Sequence, residues 1–459
     1  MAHIFLPILL FSSIISTNIH ACNQIERNSL LSFTLTLSSS PLNWTSSVNC
    51  CQWKGMTCNQ DGWVTHLHLP SRKSSKDISR GLGECSELRI FRASHNNLSG
   101  FLPEDIYNAT KLEELALALN SLIGAVSDRI VNLTNLAILD LYYNQLSGVL
   151  PLNFGKLSKL KQLNLDFNHL EGALPPSLMN CTNLIEIHLA FNNLEGDIST
   201  LNFSKLSELS KIDLMTNEFT GILPISLYSC RSLKAIRFIE NYIEGQIQVE
   251  ILSLKSLSLL SLSGLTNFTG PMKILMRCKS LRTLILSYSF KGEEMPADSG
   301  MVDFDGFQNL RYLTLYHCEL TGQMPLWLSK LKNLEILSLK GNRITGPIPS
   351  YLGTLPKLFC ISLASGEFPK ELCGLPGLVH EPTAAQVVDD YLELPIFTAA
   401  AQNPIFYPRR LSNFAPTIDL SLNHINGRIP LRSEKCVFST SWILASTTSP
   451  ATFQAKYPT

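Results

Sequence analysis

Three of the twelve cysteines stand close together near the start of the chain, where disulfide formation and metal binding are the chemistries open to them. The segment SSVNCCQWKGMTC contains Cys50, Cys51 and Cys58 next to a tryptophan. In a secreted chain such a cluster is typical of a disulfide-stabilised cap, and a zinc site is the weaker alternative. His66 and His68 alternate on one face of a short strand, but no third ligand is evident, so we interpret them as surface or cap histidines.

No motif of a familiar enzyme class is present. The sequence lacks G-x-S-x-G, H-E-x-x-H, a Walker sequence, G-x-G-x-x-G, and the HRD and DFG motifs of kinases. The formal charge is zero and 16% of residues are charged, which disfavours nucleic acid or an anionic membrane surface as a partner. We therefore predict a protein that is not an enzyme and has no cofactor and no metal.

The first 21 residues are typical of a secretory signal peptide. An apolar run extends from Ile4 to about Ile15 and small residues follow near Ala21. No other apolar run reaches 18 residues, so we expect no membrane-spanning segment in the mature chain. Seven Asn-x-Ser/Thr sequons support a secreted, glycosylated protein. They are Asn43, Asn97, Asn108, Asn132, Asn180, Asn202 and Asn267.

A regular series of asparagines identifies the architecture that must position any site. They stand at 96, 120, 144, 168, 192, 217 and 241, inside the phrase L-x-x-L-x-L-x-x-N-x-L-x-G-x-I-P. One such unit cannot bury its own leucines, so neighbouring units must stack around a shared core. The asparagine amide can satisfy the backbone groups of the inward-turning loop and form a ladder along the stack. We predict an α/β leucine-rich-repeat solenoid, with a parallel sheet on its concave face and short helices or turns on its convex face.

The repeat is interrupted after Pro369 for about 45 residues and resumes at IDLSLNHINGRIP, with Asn423 in the ladder position. A long insertion between in-phase repeats is usually functional or disordered, and the aromatic and apolar content of YLELPIF and PIFYPRR argues against disorder. We predict that this island folds back onto the concave sheet and that residues 392 to 397 form a short strand.

Residues 22 to 69 and the G-x-I-P endings resemble the ectodomains of plant leucine-rich-repeat receptors. More narrowly, YLELPIF and LSNFAPTIDLSLNHINGRIP are similar to the island and following repeat of the tyrosine-sulfated glycopeptide receptors and of the phytosulfokine receptors. The resemblance covers about 22 to 430. It implies a secreted, sulfated peptide ligand on the concave face and island, and a co-receptor leucine-rich-repeat kinase nearby.

A membrane helix and a kinase follow in those plasma-membrane receptors, whereas LRSEKCVFSTSWILASTTSPATFQAKYPT stands here. We therefore expect an extracellular (apoplastic) receptor fragment, truncated at its C-terminus relative to the family. Within its cap we predict that Cys51 pairs with Cys58 and Cys22 with Cys50. The alternatives are a soluble leucine-rich-repeat inhibitor of secreted pathogen enzymes and a truncated gene product without function.

The predicted ligand surface combines strand residues that flank the buried leucines with residues of the island. Small hydroxyls let a peptide backbone approach, and Arg237 and Lys340 would meet a sulfate. Glu393, Ile396 and Phe397 would pair with the ligand by β-augmentation. The strand residues of this surface are Arg237, Ser261, Ser263, Ser287, Tyr288, Tyr312, Thr314, Tyr316, Ser338 and Lys340.

The predicted organisation has six parts. They are a signal peptide at 1–21, an N-terminal cap at 22–83, repeats at 84–372, the island at 373–414, a last repeat at 415–430 and a non-repeat tail at 431–459.

Overall fold

The computed structural model describes residues 22–35, 44–69, 76–78, 80–296, 306–363, 372, 375, 391–396, 410–414, 416–419 and 441–443. The predictions for the signal peptide, Asn43, Phe397 and Asn423 lie outside these residues.

The concave face is one long sheet in which each repeat contributes a strand. All neighbours pair in parallel except the first two strands, which pair antiparallel in the cap. The register advances by one repeat at each step, so Leu163 pairs with Ile187 and Ile187 with Ile212. In the described part of the chain its strands are Met56–Cys58, Val64–His68, Ile90–Arg92, Glu114–Ala116, Ile138–Asp140, Gln162–Asn164, Glu186–His188, Lys211–Asp213, Ala235–Arg237, Leu259–Ser263, Thr283–Ser287, Tyr312–Tyr316, Ile336–Ser338, Cys360–Ser362, Thr417–Asp419 and Ser441–Ile443.

A second parallel sheet follows the ladder asparagines along one flank. Its strands carry the L-x-G part of each repeat, where a glycine with positive φ turns the chain. The described strands are Lys76–Asp77, Leu98–Gly100, Ser121–Gly124, Gln145–Gly148, His169–Ala173, Asn193–Asp197, Glu218–Gly221 and Tyr242–Ile243.

Short helices return the chain from one strand to the next. Two α-helices are described, Gln24–Leu35 in the cap and Thr269–Leu275 within the repeats. The other returns use 3₁₀ turns, which suit pieces of three to five residues. These are Cys50–Gln52, Leu82–Glu84, Glu104–Asn108, Asp128–Asn132, Phe154–Lys156, Pro176–Asn180, Ile198–Thr200, Phe203–Lys205, Ile225–Ser229, Val249–Ser253, Leu326–Lys330, Ser350–Thr354 and Leu411–Asn413.

One continuous apolar core runs through the stack from the cap helix to Ile418. The two strand leucines of each repeat, such as Leu163 and Leu165, are fully buried in it. Each repeat covers its neighbour's leucines, which is why the sequence period alone could predict a shared interior. The predicted solenoid is confirmed.

The ladder forms as the asparagine spacing predicts. Asn168 donates from Nδ2 to the carbonyls of Leu141 and Leu165, at 3.1 and 3.0 Å, and its Oδ1 accepts from the amide of Leu146 at 3.0 Å. At Ser289 a hydroxyl takes the amide's place and accepts from the Leu265 nitrogen at 3.2 Å. The ladder therefore tolerates a smaller polar group where the repeat is irregular.

The cap is closed by two disulfides, Cys22–Cys50 and Cys51–Cys58, which confirms the predicted pairing. Its helix also buries Glu26 completely, and one carboxylate oxygen accepts from the Val64 amide at 2.8 Å. Burial raises the pKa of this carboxyl to about 7, since the hydrogen bond to the charged form only partly offsets desolvation.

The tail predicted at 431–459 contains one described strand that the sequence reasoning did not predict. The strand Ser441–Ile443 pairs in parallel with Thr417–Asp419, and Trp442 stands opposite Ile418, one repeat length earlier. Strand pairing uses backbone groups, so it persists where the leucine phrase has been lost.

Candidate functional site

The described part of the island packs onto the concave sheet. Leu392, Ile396 and Leu411 form an apolar cluster with Ile336, and the ring of Tyr312 lies against the same cluster. Leu394 is buried separately against the strand residues Ala235 and Leu259. The island is thus held by apolar contacts with several consecutive repeats, as predicted.

The predicted strand in the island is not present in its described residues. Tyr391 makes a single antiparallel bridge with Arg410, and residues 392–396 have no strand conformation. The apolar side chains of this segment point to the sheet and its backbone follows that packing. Ile396 is a packing residue, 5% exposed, rather than an open edge for a ligand.

Arg237 joins the island to the sheet beneath it. Its Nε donates to Asp213 Oδ1 at 2.9 Å, Nη2 donates to the other oxygen of the same carboxylate, and Nη1 donates to the Pro395 carbonyl. Both partners of the ion pair are almost fully buried. Arg237 was predicted to meet a sulfate at an open surface, and the structure corrects this because the island covers it.

The other predicted cation is also paired within the chain. Lys340 Nζ lies 3.2 Å from Asp419 Oδ2, on the repeat that follows the island. Glu393, predicted to pair with a ligand strand, faces Lys211 Nζ at 3.9 Å. Charged side chains of the island and of the repeat that follows it are therefore paired with side chains of earlier repeats.

Four predicted ligand contacts are buried, with at most 7% of each residue exposed. They are Ser261, Ser263, Ser287 and Thr314. Tyr312 packs on the island, with its ring centroid 6.0 Å from that of Phe414. Tyr288 is 55% exposed, and Tyr316 and Ser338 are half-buried. These three residues are at least partly exposed, and none of them belongs to the apolar clusters that hold the island.

A polar network next to Arg237 was missed by the sequence reasoning. The ligand atoms of Asp166, His188 and Asp213 all lie within 4.8 Å of one another, a set that can hold a metal ion. Both Asp213 oxygens already accept from Arg237, so the geometry favours an ion-pair network. The sequence contained a signal for this network, because its three residues stand two or four places before the ladder asparagine in successive repeats.

The charges of this network shift several pKa values. Burial raises the pKa of Asp166, and the nearby charge of Asp213 adds to this. Glu186 accepts from His188 Nε2 at 3.2 Å, which lowers the pKa of its carboxyl to about 2. Burial lowers the pKa of His188, but that hydrogen bond and the surrounding carboxylates outweigh it and raise the pKa overall. These contacts therefore favour the protonated imidazole.

No helix among the described residues has both the length and the apolar character needed to cross a bilayer.

Three family models match the chain. The leucine rich repeat N-terminal domain matches residues 23–59, and leucine rich repeat models match 87–109, 110–170, 309–331 and 333–355. Among characterised relatives, phytosulfokine receptor 1 of Arabidopsis thaliana is 34% identical over 122 residues, which is 25% of this chain and 12% of that protein.

Solved structures of similar fold cover most of the chain. The ectodomain of the Arabidopsis thaliana membrane receptor kinase GASSHO1/SCHENGEN3, in complex with CASPARIAN STRIP INTEGRITY FACTOR 2, is 26% identical with a TM-score of 0.65; the match covers 77% of this chain and 46% of that one. The plant peptide hormone receptor RGFR1, in complex with RGF2, is 28% identical with a TM-score of 0.54, over 68% of this chain and 54% of that one.

The chain spans about half the length of these ectodomains. Its repeats, its capped N-terminus and these similarities agree with one another. The chain is a leucine-rich-repeat protein of the kind that forms the ectodomains of plant receptor-like proteins and receptor kinases.

Proposed function

We propose that the chain is an extracellular peptide-binding receptor ectodomain, and that its ligand lies along the concave face beside the island. The docking of the island carries this proposal. Leu392, Leu394 and Ile396 are buried against the sheet, so this part of the insertion forms a fixed wall on the concave face. Tyr316 lies in a strand of that sheet and Tyr288 directly follows another, and both are at least partly exposed. A rigid wall beside an open strand surface reduces the ordering cost of binding an extended peptide.

The comparisons support the same conclusion. RGFR1, a plant peptide hormone receptor in complex with RGF2, shares this fold at 28% identity. A co-receptor leucine-rich-repeat kinase is the partner we propose for the complex. The pairing of Arg237 and Lys340 with carboxylates of this chain argues against sulfate recognition by these two residues.

The test uses the secreted chain and a display library of random 14-residue peptides. Selected peptides should bind the native chain, and hydrogen-exchange protection on binding should include the strands Thr283–Ser287 and Tyr312–Tyr316. Replacing residues 376–414 by a Gly-Ser linker should abolish binding. Matched peptides with tyrosine or sulfotyrosine then measure any contribution of the sulfate.

Leu152→Ser, which changes a 77% exposed residue away from the concave face, serves as the control and should bind as the native chain does. Because the island deletion exposes an apolar cluster, Leu411→Ala provides a second, milder variant whose folding is checked by circular dichroism. If no peptide is selected, or if selected peptides bind equally well without the island, the proposal is wrong.

A further inference from the structure

A row of side chains borders the concave face, one from each repeat. Each of these rim residues directly precedes the ladder position, and its φ is between 50° and 60°. Rings at successive rim positions contact each other, for example Phe167 and Phe191, whose centroids are 4.2 Å apart. The row includes His95, Leu119, Tyr143, Phe167, Phe191, Thr216, Glu240, Tyr288 and His317.

The row is interrupted at Gly264, between Glu240 and Tyr288. Its φ is +72°, and a Cβ there would lie 2.0 Å from the Ile243 carbonyl oxygen, so the backbone geometry requires glycine. A cavity of about 420 Å³ lies beside Gly264 in the rim. This volume is at the lower end of the range for small-molecule sites and accommodates one long side chain.

The cavity has acidic and aromatic walls. Glu240, Glu244, Tyr242 and Tyr288 line it, and no lysine, arginine or histidine is among its described lining residues. Tyr242 is 67% and Tyr288 55% exposed, so both rings are accessible to a ligand. A cation binds favourably to such a combination of carboxylates and ring faces.

The walls are held in place by neighbouring side chains. Glu240 Oε2 accepts from Thr216 Oγ1 at 2.7 Å, which orients the carboxylate. The Tyr288 ring stacks on His317, with centroids 5.5 Å apart and planes 5° from parallel. One face of that ring is therefore supported and the cavity is formed before any ligand arrives.

We propose that this cavity receives the guanidinium or ammonium group of an arginine or lysine side chain of the ligand. The inference depends on the proposed function, since it assigns a side chain of the proposed peptide. It also gives the ligand a charge opposite to that of a sulfated peptide. The pairing of Arg237 and Lys340 within the chain agrees with this. Burial is the main cause of the raised pKa of Tyr288 and of Tyr316. The negative charge of Glu240 also contributes to both shifts, after the neighbouring Tyr316 in the case of Tyr288.

The experiment uses N-acetyl-arginine N-methylamide and its uncharged counterpart N-acetyl-citrulline N-methylamide, titrated by NMR. We expect the arginine probe to bind at least tenfold more tightly than the citrulline probe. Glu240→Gln and Tyr288→Leu should each weaken binding of the arginine probe at least fivefold. Glu195→Gln removes an exposed carboxylate outside the cavity and should change binding less than twofold.

Equal binding of the two probes, or binding insensitive to Glu240→Gln in a chain that retains its melting temperature, would overturn the inference. The peptide library separates the two proposals. Selected peptides that bind the native chain and Glu240→Gln equally well would leave the proposed function standing and remove the cation site. Binding of the arginine probe in a chain for which the library yields no peptide would leave the cation site standing and refute the proposed function.

Discussion

The Arg237–Asp213 pair offers a sharp test of how the island is attached. In Arg237→Met the apolar part of the side chain is retained but Asp213 is left as a buried charge without its cation. Both side chains are at most 2% exposed, so water cannot replace the guanidinium. Breaking a buried pair by removing one partner costs about 3–5 kcal/mol. The free energy of unfolding in urea should fall by that amount.

The same substitution should loosen the island. The hydrogen bond from Arg237 Nη1 to the Pro395 carbonyl involves a charged donor, and such bonds contribute about 1.5–3 kcal/mol. Amide hydrogen exchange in residues 391–396 should therefore become roughly 10 to 100 times faster. Exchange in a distant strand such as Gln162–Asn164 should change much less, which distinguishes local release from global destabilisation.

Two controls make the result decisive. Arg129→Met removes an exposed partner of Glu104 and should cost less than about 1 kcal/mol. The double variant Asp213→Leu/Arg237→Met removes both charges and should recover most of the lost stability, because an apolar pair of similar volume replaces a buried ion pair at little cost. If Arg237→Met costs no more than Arg129→Met, the pair does not hold the island and the reasoning is wrong.

Two further predictions concern the stack itself. Asn168→Ala leaves the Leu146 amide without its acceptor, while the Leu141 and Leu165 carbonyls keep the bonds from Asn144 and Asn192. The free energy of unfolding should fall by about 1–3 kcal/mol, whereas Asn183→Ala, on the exposed side, should have a small effect; equal losses would refute the ladder. Because burial raises the pKa of Glu26 from 4.5 to about 7, its contribution to stability should be complete below about pH 4.5 and lost as the pH rises through 7. Glu26→Gln should remove that slope in urea titrations between pH 4.5 and 8, and an unchanged slope would contradict it.

The sequence predicted the parts of the fold that depend on neighbouring repeats. Leucine and asparagine positions recur every 24 or 25 residues in the regular repeats, and each contacts its counterpart in the adjacent unit. The repeat period is therefore enough to predict how neighbouring units pack. The ladder and the shared core follow from this period, and the disulfide pairing of the cap follows from the family resemblance.

The covering of the concave face could not be read from the period. Alternation predicts that Ser261 and Arg237 point to that face, but the residues that bury Arg237 lie in an insertion far along the chain. The strand Ser441–Ile443 was missed for a related reason, because its pairing depends on backbone groups and not on the leucine phrase. Contacts between distant segments and contacts made by the backbone leave little trace in side-chain spacing.

The attachment of the island has a consequence for biosynthesis. Arg237 leaves the ribosome 158 residues before Pro395 does. At about 5–20 residues per second the interval is roughly 8–30 s, during which the strands Lys211–Asp213 and Ala235–Arg237 exist without their cover. The pair is then open to water and contributes little to stability, so the nascent repeats must be stable on their leucine core alone. The concave face reaches its mature composition only after the island has been synthesised.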